Sequence, residues 1–80
     1  MGKSFVSLEK AIQILSLFDA QNRELSAQEI SEKLSIPLST TYNYVKVFIA
    51  NKFLEKNEIT NKFCLGFNLF KLGILAAKNN

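Results

Sequence analysis

Residues 25–48, LSAQEISEKLSIPLSTTYNYVKVF, decide the fold. Ser26-Ala27-Gln28-Glu29 is a capping box: the Ser26 hydroxyl can accept the Glu29 N–H while the Glu29 carboxylate accepts the Ser26 N–H. Leu25 before it and Ile30 after it form the hydrophobic staple that fixes the angle at which the chain enters the helix. The second helix of the chain therefore starts at Ser26, turns Ala27, Ile30 and Leu34 inward, and stops near Leu34. Pro37 has no N–H and biases Ile36 away from helical angles, so the helix cannot continue through it. Beyond it, Thr41, Tyr44, Val45 and Phe48 recur at i, i+3, i+4 and i+7, which predicts a third helix over Leu38–Ala50. The joint is Ser35 to Pro37, and a joint that short makes a helix-turn-helix. Ser31 is the small residue that lets the two helices cross closely.

Upstream, Ser7 reads as an N-cap, with Leu8, Ala11, Ile12, Leu15 and Phe18 as the apolar stripe of a first helix from Leu8 to Phe18. Ile14 and Leu17 widen that stripe beyond the arc one neighbour covers. Either a second chain meets the extra face, or the other elements of a small domain wrap around it. Asp19–Glu24 reads as a loop. Downstream, Phe53–Lys56 and Lys62–Leu65 alternate in part around the turn formers Asn57–Asn61, which predicts a β-hairpin, the wing. Gly66 breaks the strand. Leu69, Leu72, Gly73 and Ala76, with Phe70, Ile74 and Ala77 beside them, begin a last helix with too much apolar surface to stand alone. The expected fold is mainly α with a small β-hairpin, a winged helix-turn-helix over residues 1–66 followed by a linker helix over 67–80.

With 80 residues, roughly half of them hydrophobic and seven of them Phe, the chain can build one small core. Cys64 is the only cysteine and there is no histidine, so an internal disulfide, a zinc site and a Cys-His pair are all excluded. The lone thiol points to a reducing, cytoplasmic setting. Cys64 itself alternates with Phe63 and Leu65, so it is expected to face outward in the wing as an unpaired structural cysteine, with a redox role as the alternative. Lys46, Lys52 and Lys71 interrupt every apolar run before it reaches a membrane span. The N-terminus does not read as a secretory signal. Met1-Gly2 opens like a myristoylation site but Val6 stands where that motif needs Ser or Thr. No set of nucleophile, base, carboxylate cluster or glycine-rich phosphate loop is present, so no enzyme, cofactor or metal is expected. Charge is uneven. Residues 1–34 carry four cations against five carboxylates, whereas residues 35–80 carry six lysines against two, and the second part is where a polyanion would sit.

This pattern resembles the N-terminal DNA-binding domain of IclR-type bacterial transcription regulators, over about Ser7 to Ala77. The likeness runs through Ser7-Leu8-Glu9-Lys10-Ala11 with Ile14-Leu15, Leu25-Ser26 with Glu29-Ile30 and Leu34, and Ile36-Pro37 with Ser39-Thr40. It continues through Phe53-Leu54, Phe63, Leu65-Gly66 and Leu69, Leu72, Gly73. Ser35 and Asn61 stand where the family usually has glycine, and Leu38, Tyr42 and Asn43 where it commonly has basic residues or histidine. The resemblance implies sequence-specific binding of double-stranded operator DNA as a homodimer through the first helix and the linker helix. It also implies a larger C-terminal domain beyond the linker, which would take a small-molecule effector.

In a helix-turn-helix the second helix of the motif enters the major groove. Its outward residues here are Leu38, Ser39, Thr40, Tyr42, Asn43 and Lys46. The Asn43 amide, one donor and one acceptor, suits adenine. Ser39 and Thr40 suit phosphate at the helix start, with capping as the other use of Ser39. Tyr42 can meet a thymine methyl or a phosphate. Lys46, Lys52, Lys56 and Lys62 are candidate phosphate partners that carry no sequence information, and Ser26 and Gln28 stand where the first helix of the motif crosses the backbone. The competing reading is a winged-helix protein-interaction module without DNA binding.

Overall fold

Both halves of the capping box form. In the computed structural model the Glu29 N–H donates to Ser26 Oγ at 3.0 Å and the Ser26 N–H to Glu29 Oε1 at 2.8 Å, and the staple residues Leu25 and Ile30 are fully buried. The structure describes the backbone of residues 4–79 and the side chains of residues 6–79, so the Met1-Gly2 opening lies outside the described residues, as do Lys3 and Asn80. The elements run α1 (Ser4–Ser16), α2 (Ala27–Leu34), α3 (Leu38–Ala50), β1 (Leu54–Lys56), β2 (Phe63–Leu65) and α4 (Phe67–Lys78). The expected winged helix-turn-helix and trailing helix are all present.

The joint between α2 and α3 is closed by small side chains. Ser35 takes the left-handed conformation, φ 55°, at the position where a glycine is usual, and its N–H reaches Glu32 O. Ser31 Oγ donates to the Ile36 carbonyl, and the Ile36 N–H returns to Ser31 O at 3.1 Å. Pro37 is the N-cap of α3, with no side chain capping it, and Ser39 lies inside the helix, so its expected alternative use as a cap is not realised. The buried Thr41 turns its hydroxyl back to the Pro37 carbonyl at 3.2 Å, which satisfies the hydroxyl inside the core without capping any N–H of the first turn.

Helix α1 corrects the reading of the sequence in two ways. It begins at Ser4 and ends at Ser16, so Ser7 is not its N-cap but an interior residue whose carbonyl accepts the Tyr44 hydroxyl at 3.2 Å. Its buried face is also rotated. Ile14 is fully buried and Phe18, just past the helix, is in the core with Ala11, Leu15 and Leu17 against it, while Leu8 and Ile12 are 57% and 54% exposed. The apolar residues of this segment run almost all round the helix, so their spacing alone cannot say which arc meets α2 and α3.

The wing is antiparallel, pairing Leu54 with Leu65, Glu55 with Cys64 and Lys56 with Phe63. Asn61 supplies the left-handed turn position, φ 60°. Leu25 joins this sheet as a single bridge. Its N–H donates to Phe63 O at 2.9 Å and its carbonyl accepts the Phe63 N–H at 2.8 Å. The core that results collects Ile14, Phe18, Leu25, Ala27, Ile30, Val45, Phe48, Leu54 and Phe63 from every element except α4. Among the described residues no buried polar side-chain atom lacks a partner.

At the foot of α4 the backbone passes very close to the end of α3. Lys52 is left-handed, φ 59°, and its carbonyl accepts the Asn68 N–H at 3.0 Å, while the Gly66 N–H donates to Phe53 O at 2.8 Å. A methyl group on Gly66 would press into the Lys52 carbonyl and stand 2.8 Å from its carbon. Gly66→Ala is therefore expected to cost roughly 1–3 kcal/mol, because the obstacle is backbone. Urea unfolding of the two proteins measures it, and equal midpoints would show that the α3–α4 junction yields.

Candidate nucleic-acid interface

The N-terminal turn of α2, the flank of α3 and the wing meet around one open groove of about 410 Å³. It is lined by Ser26, Ala27, Gln28, Tyr42, Lys56, Thr60, Asn61, Lys62 and Phe63. Five of the candidate residues thus converge although they come from three separate segments: Ser26, Gln28, Tyr42, Lys56 and Lys62. The groove has a cationic side and a side built from the start of a helix, which is the combination a phosphate diester needs.

Inside it, Ser26 is not free to use its own N–H on a ligand, since Glu29 takes it. The hydroxyl is likewise committed to the Glu29 N–H. Gln28 remains exposed at the rim, with its amide 3.5 Å from the Glu32 carboxylate. Lys62 is not simply solvated: its Nζ lies 3.5 Å from Glu29 Oε1, the same oxygen that accepts the Ser26 N–H, with both side chains about two-fifths exposed. The hydrogen bond from the Ser26 backbone holds the Glu29 carboxyl below its ordinary value, with Lys62 adding to the effect.

Sequence reading missed Glu24, which it left in a loop. Its carboxylate accepts Asn57 Nδ2 at 2.9 Å and Thr60 Oγ1 at 3.0 Å, so it ties the wing turn to the segment leading into α2. Those two hydrogen bonds, with the Lys62 charge behind them, lower its pKa. A partner 33 residues away leaves no local signal.

The remaining candidates lie on α3 outside this groove. Leu38, Ser39 and Lys46 are exposed on the helix and Thr40 is half-buried. Asn43 is exposed but lines a different, apolar hollow between α1 and α3, with Leu8, Ala11 and Val47. Lys52, past the helix, is exposed. Cys64 does not simply face outward. It is half-buried beside Phe18, Asp19, Ala20 and Arg23, and burial pushes its thiol pKa up, with Glu55 and Glu24 adding to the rise. A thiol held protonated is a poor nucleophile. Among the described residues no cluster of His, Cys, Asp or Glu has the makings of a metal site, and no helix is long and apolar enough to cross a membrane.

The family model of the IclR helix-turn-helix domain matches residues 7–58, which hold α2, α3, β1 and most of α1. The chain belongs to the IclR helix-turn-helix family. The transcriptional regulator XynR of Escherichia coli K12 is 33% identical over 67 residues, 84% of this chain and 27% of XynR. The transcriptional repressor AllR of the same strain is 31% identical over 71 residues, 89% of this chain and 26% of AllR. Among solved structures, an IclR transcriptional regulator from Alicyclobacillus acidocaldarius superposes with a TM-score of 0.85 at 25% identity, covering 92% of this chain and 30% of that protein. The chain thus spans about a quarter of the length of the regulators it matches. The relatives named here are regulators of transcription, not enzymes.

The carboxylates give this IclR-type domain a defined acid limb. Glu24 and Glu29 both titrate below the ordinary 4.5 when folded. Their contribution to stability is complete above the unfolded value and is lost as pH falls through the folded ones. Denaturant midpoints should hold steady from neutrality down to about pH 5 and decline below it, and Glu24→Gln should decline less steeply. Identical acid limbs for the two proteins would mean that Glu24 titrates alike folded and unfolded.

Proposed function

We propose that this domain is the operator-reading part of a bacterial transcription regulator, binding double-stranded DNA through α3 and the wing. The observation that carries the reading is the convergence of Gln28, Tyr42, Lys56 and Lys62 on one groove beside the exposed outer face of α3. Ser39, Asn43 and Lys46 fall at i, i+4 and i+7, so they share one line along that face. In this reading α3 lies in the major groove. Asn43 reads an adenine edge, Tyr42 meets a thymine methyl or a phosphate from the wing side, and Leu38 packs at the helix start. Ser39, Thr40, Lys46, Lys56 and Lys62 hold phosphates, helped by the N–H groups at the starts of α2 and α3; Ser26 contributes by shaping the first of these rather than by its own N–H.

The protein works in this proposal as a homodimer on a pseudo-palindromic site, joined through α1 and α4. What supports it is the apolar surface left bare on both: Val6, Leu8 and Ile12 on α1, and Phe67, Phe70, Leu72, Ile74 and Leu75 on α4, all exposed. A surface of that extent on a small domain calls for a cover. Residues 1–66 would then be the DNA-binding unit and residues 67–80 a linker helix to an effector-binding domain that takes a small molecule, in keeping with the greater length of the relatives. The setting proposed is the cytoplasm.

Titrating the DNA upstream of the protein's own gene at increasing salt tests the reading. Log K should fall linearly with log salt, by about 0.9 for each phosphate neutralised. Affinity that ignores salt, or none at all, would sink it and favour a protein-interaction module. Asn43→Ala should relax discrimination at one base pair by about 1–3 kcal/mol, whereas Lys62→Ala should weaken every sequence alike. Equal behaviour of the two variants would refute this division of roles.

A further inference from the structure

We infer that Glu29 sets the strength of DNA binding by acting as the counter-ion of Lys62, so that every duplex must displace a carboxylate to reach that lysine. The inference rests on the DNA-binding reading above and assigns Glu29 a role beyond the cap. Glu29 Oε1 serves two partners, the Ser26 N–H at 2.8 Å and Lys62 Nζ at 3.5 Å, and both of those partners line the groove where α2 and the wing face each other. The first partner holds the carboxylate in place whether or not the second is present. Lys62 is free to swing away, since it is a surface cation on a flexible stem. Glu24, tied to Asn57 and Thr60 of the wing turn, adds its negative charge to the surroundings of Lys62, with Lys56 as the other cation of the groove.

A phosphate arriving at Lys62 therefore trades one anion for another. The carboxylate it displaces stays behind, fixed by Ser26, and loses its cation, so the cost to binding is the broken Glu29–Lys62 pair. Because the exchange involves backbone phosphate only, it weakens operator and random DNA by the same factor, and the base contacts of α3 keep their full share of discrimination. The capping role does not require the charge, because a glutamine at this position accepts the N-cap N–H as well.

Glu29→Gln in the full-length protein separates the two roles. Its affinity for sheared genomic DNA and for the duplex preceding its own gene should both rise, by roughly two- to fivefold at low salt, as expected of an exposed ion pair. The gain should shrink as salt is added, with a steeper slope of log K against log salt. Placed on a Lys62→Gln background the same change should give little gain, and any effect on folding cancels between the two backgrounds because both carry the same altered cap. A gain that persists without Lys62 would overturn the counter-ion role, as would no gain at all or a gain for one class of DNA only. Absence of binding by wild type and variants alike would instead strike the DNA-binding reading itself, and this inference with it.

Discussion

The geometry of the whole domain depends on the pair of backbone hydrogen bonds between Leu25 and Phe63. Leu25 is the residue before the N-cap of α2, and its side chain is a staple on Ile30 in the core. The same residue also adds a one-residue third strand to the wing, bridged to Phe63. One position thus fixes where α2 begins and where β2 lies relative to it. Burying a leucine contributes about 1.5–3 kcal/mol and each of the two hydrogen bonds about 1 kcal/mol, and these terms act at a single point. Glu24 and Lys62 make their ties to the wing and to α2 at the edge of this contact. They adjust a spacing that Leu25 and Phe63 have already imposed.

Much of this was legible before the structure because it is local. The capping box, the staple, Pro37 and the i, i+3, i+4, i+7 run of α3 each act within one or two helical turns, and α3 was read with its observed bounds. Asn57–Asn61 is equally local and gave the wing. Helix α1 was not legible in the same way. Its apolar side chains circle the axis, and only contact with α2 and α3 decides that Ile14 goes in and Leu8 stays out. Lys52 offered no sign of its left-handed backbone, since neither glycine nor asparagine stands there; the close approach of Gly66 and the start of α4 impose it.

The site divides along the same line. Residue types on α3 could be sorted by periodicity, and a charge count placed the cations in the second half of the chain. Which of them would meet was a matter of tertiary distance. Lys56 and Lys62 come to the groove with Gln28 and Tyr42, whereas Asn43, exposed on the same helix, borders the hollow next to α1 instead. Pairings such as Glu29 with Lys62 and Glu24 with Asn57 span the joint between the helical part and the wing, where no spacing rule applies.

The joint at the foot of α4 has a mechanical meaning. Phe67 N–H is held by the Glu55 carboxylate at 3.1 Å, and Asn68 grips the end of α3 twice, through its N–H on Lys52 O and its side chain on Asn51 O at 2.9 Å. Beyond this socket no residue of α4 is buried. At about 1.5 Å per residue the helix reaches roughly 18 Å from its base. It is an arm clamped at one end, so any load applied along it, whether by a second chain or by whatever follows, becomes a torque on the last turn of α3. That helix carries Asn43 and Lys46, and its aim is therefore set in part by the tilt of an arm that never enters the core.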